Sequence, residues 1–291
     1  MQQHTATLLL MIGLLVVWTE DVRAQADSTV AAQLVRITLK DGSEVVGTIS
    51  REDSNIIAFR TLSHVSMTIP RDQVKGREIV RGELVRGEYW RTDPNSSRLL
   101  LAPTARSVPS GQGYVSAYEI FFPMVTVGAG DVLTLSGGMS LFPFAQSELF
   151  YVAPKIRPLH LNDFDVAGGV LYINSTSGSG DGVGILYGVG TYGPPRSALT
   201  FGLGWGFSGE DFADEPIVMI GGELQVAKSA KFISENWIPP HSDMQFYSFG
   251  IRFFGENLAA DFALVHPGGA RTSGFPFFPW IGFAYNFGTP K

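Results

Sequence analysis

Between Arg98 and Phe287 large apolar side chains recur at every second position, in runs about ten residues long separated by turn residues. In Leu199-Thr200-Phe201-Gly202-Leu203-Gly204-Trp205-Gly206-Phe207 one face is Leu, Phe, Leu, Trp and Phe, and the other is Thr and glycine. Tyr247–Phe253, Leu258–Leu264 and Ile281–Phe287 repeat the scheme, with Arg252 and Asp261 on the faces that otherwise carry small residues. A period of two is the signature of a β-strand. Large residues on one face and small or charged ones on the other suit a barrel with lipid outside and a filled or polar lumen inside. A soluble sandwich would instead coat its outer face with Lys, Glu and Thr.

The pattern predicts twelve strands: Arg98–Ala102, Tyr114–Val127, Val132–Phe142, Glu148–Arg157, Phe164–Ile173, Val183–Tyr192, Ala198–Phe207, Pro216–Val226, Lys231–Trp237, Gln245–Phe254, Leu258–His266 and Trp280–Phe287. An even count puts both termini on one side, the periplasm in a bacterial outer-membrane barrel. Ten is the alternative count, because Arg98–Ala102 is short. Ala227–Ala230 and Gly255–Asn257 then read as periplasmic turns. Ser175–Gly182, Gly209–Glu215, Ile238–Asp243 and Pro267–Pro276 read as extracellular loops. Tyr285-Asn286-Phe287 is an aromatic last strand of the kind read by the barrel-assembly machinery, here followed by four further residues.

Upstream the pattern shortens. Five short strands are expected at Val35–Leu39, Glu44–Ser50, Ile56–Thr61, Ser66–Pro70 and Val74–Val80, with an Asp41-Gly42 hairpin turn after the first. Five strands in about fifty residues fit a small closed barrel, since a flat sheet of that size leaves its edges exposed. Leu8–Trp18 is an uncharged apolar run, too short to span a bilayer as a helix and followed by small residues at Ala24 and Ala26. It reads as a signal peptide cleaved after one of those two alanines, although Met1–Thr7 holds no Lys or Arg. The expected organisation is a signal peptide at 1–24, a small module at 33–89 and a barrel at 98–287.

Composition sharpens this picture. Charged residues are 16% of the chain, hydrophobic ones 45%, and there are 34 glycines and 21 phenylalanines. A soluble domain usually carries about 25% charge. The net charge of −6 provides no basic footprint for nucleic acid, and the absence of cysteine excludes thiolate chemistry.

Two resemblances add to the residues. Leu39-Lys40-Asp41-Gly42-Ser43, Gly47 and Ile69-Pro70-Arg71-Asp72-Gln73-Val74 resemble SH3-like and Sm-like small barrels. For an exported module the expected role is folding, docking or wall contact in the periplasm, with a periplasmic or cell-wall partner. The RNA role of cytoplasmic Sm-like proteins is not carried over, since Phe59 is the only aromatic on the strands. Arg98–Arg106, Gly111–Tyr114, Gly190–Gly193, Ser234–Trp237 and Gly250–Gly255 resemble a family of exported barrel proteins of Gram-negative bacteria. The family implies a fold and an outer-membrane location, with no activity, ligand or catalytic residue attached.

Little in the chain points to catalysis. Gly188-Val189-Gly190-Thr191-Tyr192-Gly193 satisfies the dinucleotide fingerprint, but it lies inside an alternating strand and Pro194-Pro195 follows where a helix is needed. His160, His241 and His266 fall at strand ends or loops, no two histidines have ligand spacing, and no cofactor or metal is expected. The candidate functional residues are charges assigned to the lumen: Lys155, Arg157, Glu223, Arg252 and Asp261, with Glu235 joining if its strand shifts by one residue. Buried charge needs a partner, so these predict a salt-bridged plug in preference to a pore lining. Trp205, Trp237, Trp280 and Tyr285 are assigned to the membrane interface. The function expected is a non-enzymatic outer-membrane barrel in contact with lipid: a small pore, a transporter or a structural envelope protein. The alternatives are a lipid-modifying outer-membrane enzyme and a soluble periplasmic β-protein.

Overall fold

The computed structural model describes residues 34–80, 82–85, 88–143, 145–178, 180–242, 244–269 and 275–288, so the expected signal peptide lies outside the described residues. The described chain is all-β and divides into two compact units, up to Val80 and from Arg81 onward.

The first unit is one antiparallel sheet of five strands, β1 (Leu34–Leu39), β2 (Glu44–Glu52), β3 (Ile56–Thr61), β4 (Ser66–Pro70) and β5 (Val74–Ile79), in the order β4-β3-β2-β1-β5. All five fall where the alternation places them. Val35, Ile37, Ile57, Phe59 and Ile69 form its core. A 3-10 turn at Arg71–Gln73 joins β4 to β5. Glu52 braces that turn by pairing with Arg71 and, at 3.0 Å, with Arg77. The hydrogen bond from Arg71 holds the Glu52 carboxyl below the usual carboxylate range. Gly47 lets β2 lie close on β3: an added Cβ would sit 2.0 Å from the Arg60 carbonyl oxygen. Gly47→Ala is therefore expected to cost the unit about 1–3 kcal/mol through overpacking. Limited proteolysis of the unit in denaturant checks this, and an unchanged midpoint would refute it.

The second unit opens with a hairpin, β6 (Gly82–Val85) and β7 (Glu88–Arg91). The first unit thus ends at Val80, short of the expected Tyr89. The hairpin is fastened to the barrel by Arg91 N–H to the Lys228 carbonyl at 3.0 Å and by the Arg196 guanidinium over the Trp90 ring at 4.8 Å.

The rest is a closed antiparallel barrel of twelve wall strands: β8 (Gly113–Tyr118), β9 (Phe122–Ala129), β10 (Leu133–Met139), the interrupted pair β11 (Leu149–Val152) and β12 (Lys155–Leu161), β13 (Phe164–Ser175), β14 (Val183–Tyr192), β15 (Ser197–Ser208), β17 (Ile217–Ala227), β18 (Ala230–Ile238), β19 (Gln245–Phe254), β20 (Leu258–Gly268) and β21 (Phe278–Phe287). The two-residue β16 (Asp211–Phe212) only extends the hairpin of β15. Closure is the pairing of β21 with β8, from Gly282↔Tyr118 to Phe287↔Gly113.

Two strand expectations are corrected, and they offset each other in the count. Arg98–Ala102 is no wall strand, and the expected Tyr114–Val127 strand is two. It folds back at Glu119 and Ile120, which hold φ of 47° and 67°. Those left-handed conformations are rare for non-glycine residues, and nothing turn-like in the sequence announces them. Turns at the end shared by the termini are short, such as Asn162–Asp163 and Lys228–Ser229, while longer loops gather at the opposite end. The outer surface is apolar: Phe249, Ile251, Phe253, Phe262, Phe283 and Tyr285 are all exposed, while Gly250, Arg252, Asp261 and Ala284 between them face in.

Candidate functional site: a segment plugging the lumen

The chain between β7 and β8 runs inside the barrel. Asn95, Leu99, Thr104 and Ala105 are fully buried, and the segment touches wall residues on β10, β12, β14, β17, β18, β19, β20 and β21. Arg98–Ala102 reads as a strand in sequence because its leucines are apolar, but it lies inside the lumen, with Leu99 and Leu100 buried and Leu101 half exposed. Leu99 and Leu100 sit against Val189, Met219 and Ile233. The segment doubles back on itself, with a bridge from Arg98 to Pro103 and Leu99 N–H bonded to the Ala102 carbonyl at 2.8 Å.

Irregular backbone enclosed in a barrel must have its N–H and C=O groups satisfied by the wall. The inward charges do this. Lys155 Nζ donates to the carbonyls of Ser97, Thr104 and Arg106 at 3.0, 2.8 and 2.6 Å. Glu235 Oε2 accepts from the N–H groups of Leu101 and Ala102, both at 2.9 Å. Arg252 reaches the carbonyls of Asn95 and Leu99. Thr191 and Thr134 accept from the N–H groups of Ala105 and Val108 at 2.9 and 3.0 Å.

The side-chain charges then link in one continuous series. Arg106 pairs with Glu223, Glu223 with Lys231 at 2.7 Å, Lys231 with Asp93 at 3.0 Å, Asp93 with Arg252 at 3.0 Å, Arg252 with Asp261 at 2.6 Å, and Asp261 with Arg98 at 2.6 Å. Cation and carboxylate alternate through all seven. Asp93, Arg98 and Arg106 come from the plug, and the other four come from the wall. Lys231, Arg252, Asp93, Glu223 and Asp261 have fully buried side chains, so every charge in the middle of the series depends on its neighbours.

Of the residues singled out from sequence, Glu223, Arg252 and Asp261 meet in this series, and Lys155 and Glu235 hold the plug backbone. Arg157 does not join them. It sits at the termini-side rim, bonded to Asp165 at 3.2 Å and to the Asp131 carbonyl at 2.9 Å. Sequence reasoning missed Asp93, Arg98, Arg106 and Lys231. The signal for the first three was available: charges flanking an apolar stretch with no opposite charge at strand spacing beside them.

The interface assignment of two tryptophans is also corrected. Trp237 shares the inward parity of Glu235, and its indole N–H donates to Glu235 Oε1 at 2.8 Å. Trp280 shares that of Gly282 and stacks on the buried Tyr118 ring at 6.0 Å. Trp205 and Tyr285 do face outward. His160 pairs with Asp165 and His266 with the Pro276 carbonyl, and neither bonds a serine among the described residues. No group of three His, Asp or Glu suited to a metal ion occurs among the described residues.

Above the plug, toward the long loops, the lumen is open and apolar. One cavity of about 60 Å³ is lined by Leu171, Ile185, Tyr187, Ile217 and Met219 and floored by Pro103. A second, of about 170 Å³, lies over Leu100 and Leu101 between Phe246, Val265 and Trp280. Trp237 borders both.

No family model matches the chain, and no curated protein matches its sequence. Solved structures that resemble it are outer-membrane barrels. The KdgM porin in complex with disordered oligogalacturonate aligns at TM-score 0.47 and 10% identity, over 60% of this chain and 98% of that one. The NanC porin aligns at 0.41 and 8%, over 62% and 99%. Omp33 of Acinetobacter baumannii aligns at 0.36 and 11%, over 61% and 95%. At this level of similarity none of them bears on ligand or mechanism.

Proposed function

We propose that the chain is a non-enzymatic outer-membrane barrel, closed at its periplasmic half by its own segment Asp93–Val108, that serves as a gated passage and not as an open pore. The observation that carries this is the alternating seven-charge series, which joins plug to wall across the lumen. A pore lining leaves its charges to water and ions. Here they are buried, and they face backbone groups of the plug. The apolar exterior and the short-turn and long-loop ends support the membrane setting and the periplasmic placement of both termini. The first unit then lies in the periplasm. Its 3-10 turn between β4 and β5 and its β1–β5 pairing support an SH3-like docking module for an envelope partner.

The test is conductance. The full-length protein in a planar bilayer is expected to stay silent over the voltages that bacterial porins tolerate. Steady ohmic current from the unmodified protein would overturn the plugged reading.

A further inference from the structure

The barrel wall is not of even height. β8 has six residues and β9 eight, whereas β13, β15, β17 and β20 have eleven or twelve. Six residues rise about 20 Å along a strand and, tilted near 40°, about 15 Å along the barrel axis, short of the roughly 25 Å apolar band of such barrels. The hairpin tip is correspondingly greasy: Ile120 is 67% exposed and Phe121 is exposed beside it. The loops elsewhere at that end carry Asp181, Glu210, Asp211 and Glu215. Glu119, the one charge at the tip, is turned onto the neighbouring strand. Its carboxylate accepts from Ile281 N–H at 2.7 Å, and its own N–H donates to the Ile281 carbonyl at 2.9 Å. Beyond Ile281, the upper residues Phe278, Pro279 and Trp280 of β21 have a ladder partner only in β20 among the described residues. The wall is notched here, at a depth where lipid lies outside.

Behind the notch stands Trp280, and behind Trp280 the apolar cavity over Leu100 and Leu101. Glu235 borders that cavity, but both its oxygens already accept from Leu101, Ala102 and Trp237. Beyond the Ser248 hydroxyl and the Trp280 indole N–H, unpartnered among the described residues, a polar solute entering this space would find little to replace its hydration. The larger of the two cavities, about 170 Å³, is of the order of cavities that hold a single apolar ring, so it has room for a stretch of one alkyl chain and none for a two-chain phospholipid.

We propose that the upper lumen is a binding site for one alkyl chain of a single-chain lipid, reached sideways from the bilayer over the β8–β9 hairpin past Trp280. This rests on the plugged outer-membrane reading, which supplies both the lipid outside the notch and the floor beneath the cavity.

Tryptophan quenching tests it on the full-length protein in phosphatidylcholine vesicles, using variants in which every tryptophan but one is replaced by phenylalanine. The probe is 9,10-dibromostearic acid, compared with dibrominated phosphatidylcholine. The Trp280-only and Trp237-only proteins are expected to lose most of their emission to the fatty acid, saturably, and little to the brominated phospholipid. Val265→Arg in the Trp280-only background removes the saturable loss. Quenching of Trp237 with Trp280 untouched would overturn the sideways route, and quenching of neither would overturn the site. The outward Trp205, kept alone, is quenched by brominated phospholipid if the barrel spans the bilayer. Failure of that control would strike the membrane reading itself.

Discussion

Arg252→Ala is expected to destabilise the barrel by about 3–5 kcal/mol, the usual result of removing one partner from a buried ionic network. Arg252 has no exposed surface and binds two carboxylates, Asp93 at 3.0 Å and Asp261 at 2.6 Å, together with the carbonyls of Asn95, Arg98 and Leu99. Its loss leaves Asp261 with Arg98 alone and Asp93 with Lys231 alone, and it strips several plug carbonyls of their donor. Arg252→Lys keeps the charge but cannot fork between two carboxylates, so it should fall between the two. The measurement is the denaturation midpoint of the folded barrel in detergent, read from its altered mobility on a gel. A change below about 0.5 kcal/mol, the level of an ordinary surface substitution, would show that the series does not hold the plug.

Excising Asp93–Arg106 and bridging the gap with a Gly/Ser linker is expected to turn a silent protein into a conducting one. The wall half of the network would then face the lumen, with Lys231 still paired to Glu223 and Arg252 to Asp261, and with Lys155 and Glu235 stripped of their plug backbone partners. These are charges that draw in water. A milder variant guards against misassembly. Arg106→Gln with Glu223→Gln removes one end of the series and keeps the polar contacts, and it should give brief openings instead of steady current. Silence from an excised barrel that runs as a folded species would mean that the wall closes without the plug.

Much of the fold was legible because alternation reports directly which face is buried. Inward charges stand out on a strand where small residues are the rule, which is why Glu223, Arg252 and Asp261 could be singled out. Their partners could not, because they come from another part of the chain: Arg252 and Asp93 are 159 residues apart, and Arg98 and Asp261 are 163 apart. A segment enclosed by the wall has no single buried face to set a period, so the apolar run Arg98–Ala102 reads as a short strand. The β8–β9 turn escaped because Glu119 and Ile120 are unusual residues for positive φ. Parity alone would have placed Trp237 and Trp280 inward; the preference of tryptophan for membrane interfaces argued the other way, and here packing prevailed.

The plug precedes the first wall strand and is joined to it without a break, and that strand is the one that closes on the last. Asn95 and Asn286 exchange side-chain hydrogen bonds, both at 3.1 Å, beside the same seam. Plug and closing strand therefore share contacts, so a disturbed plug is expected to weaken the register of the seam. Lesions in Asp93–Arg106 should accordingly surface first during folding, as chains whose β21–β8 seam fails to close, before any finished barrel exists to be called leaky.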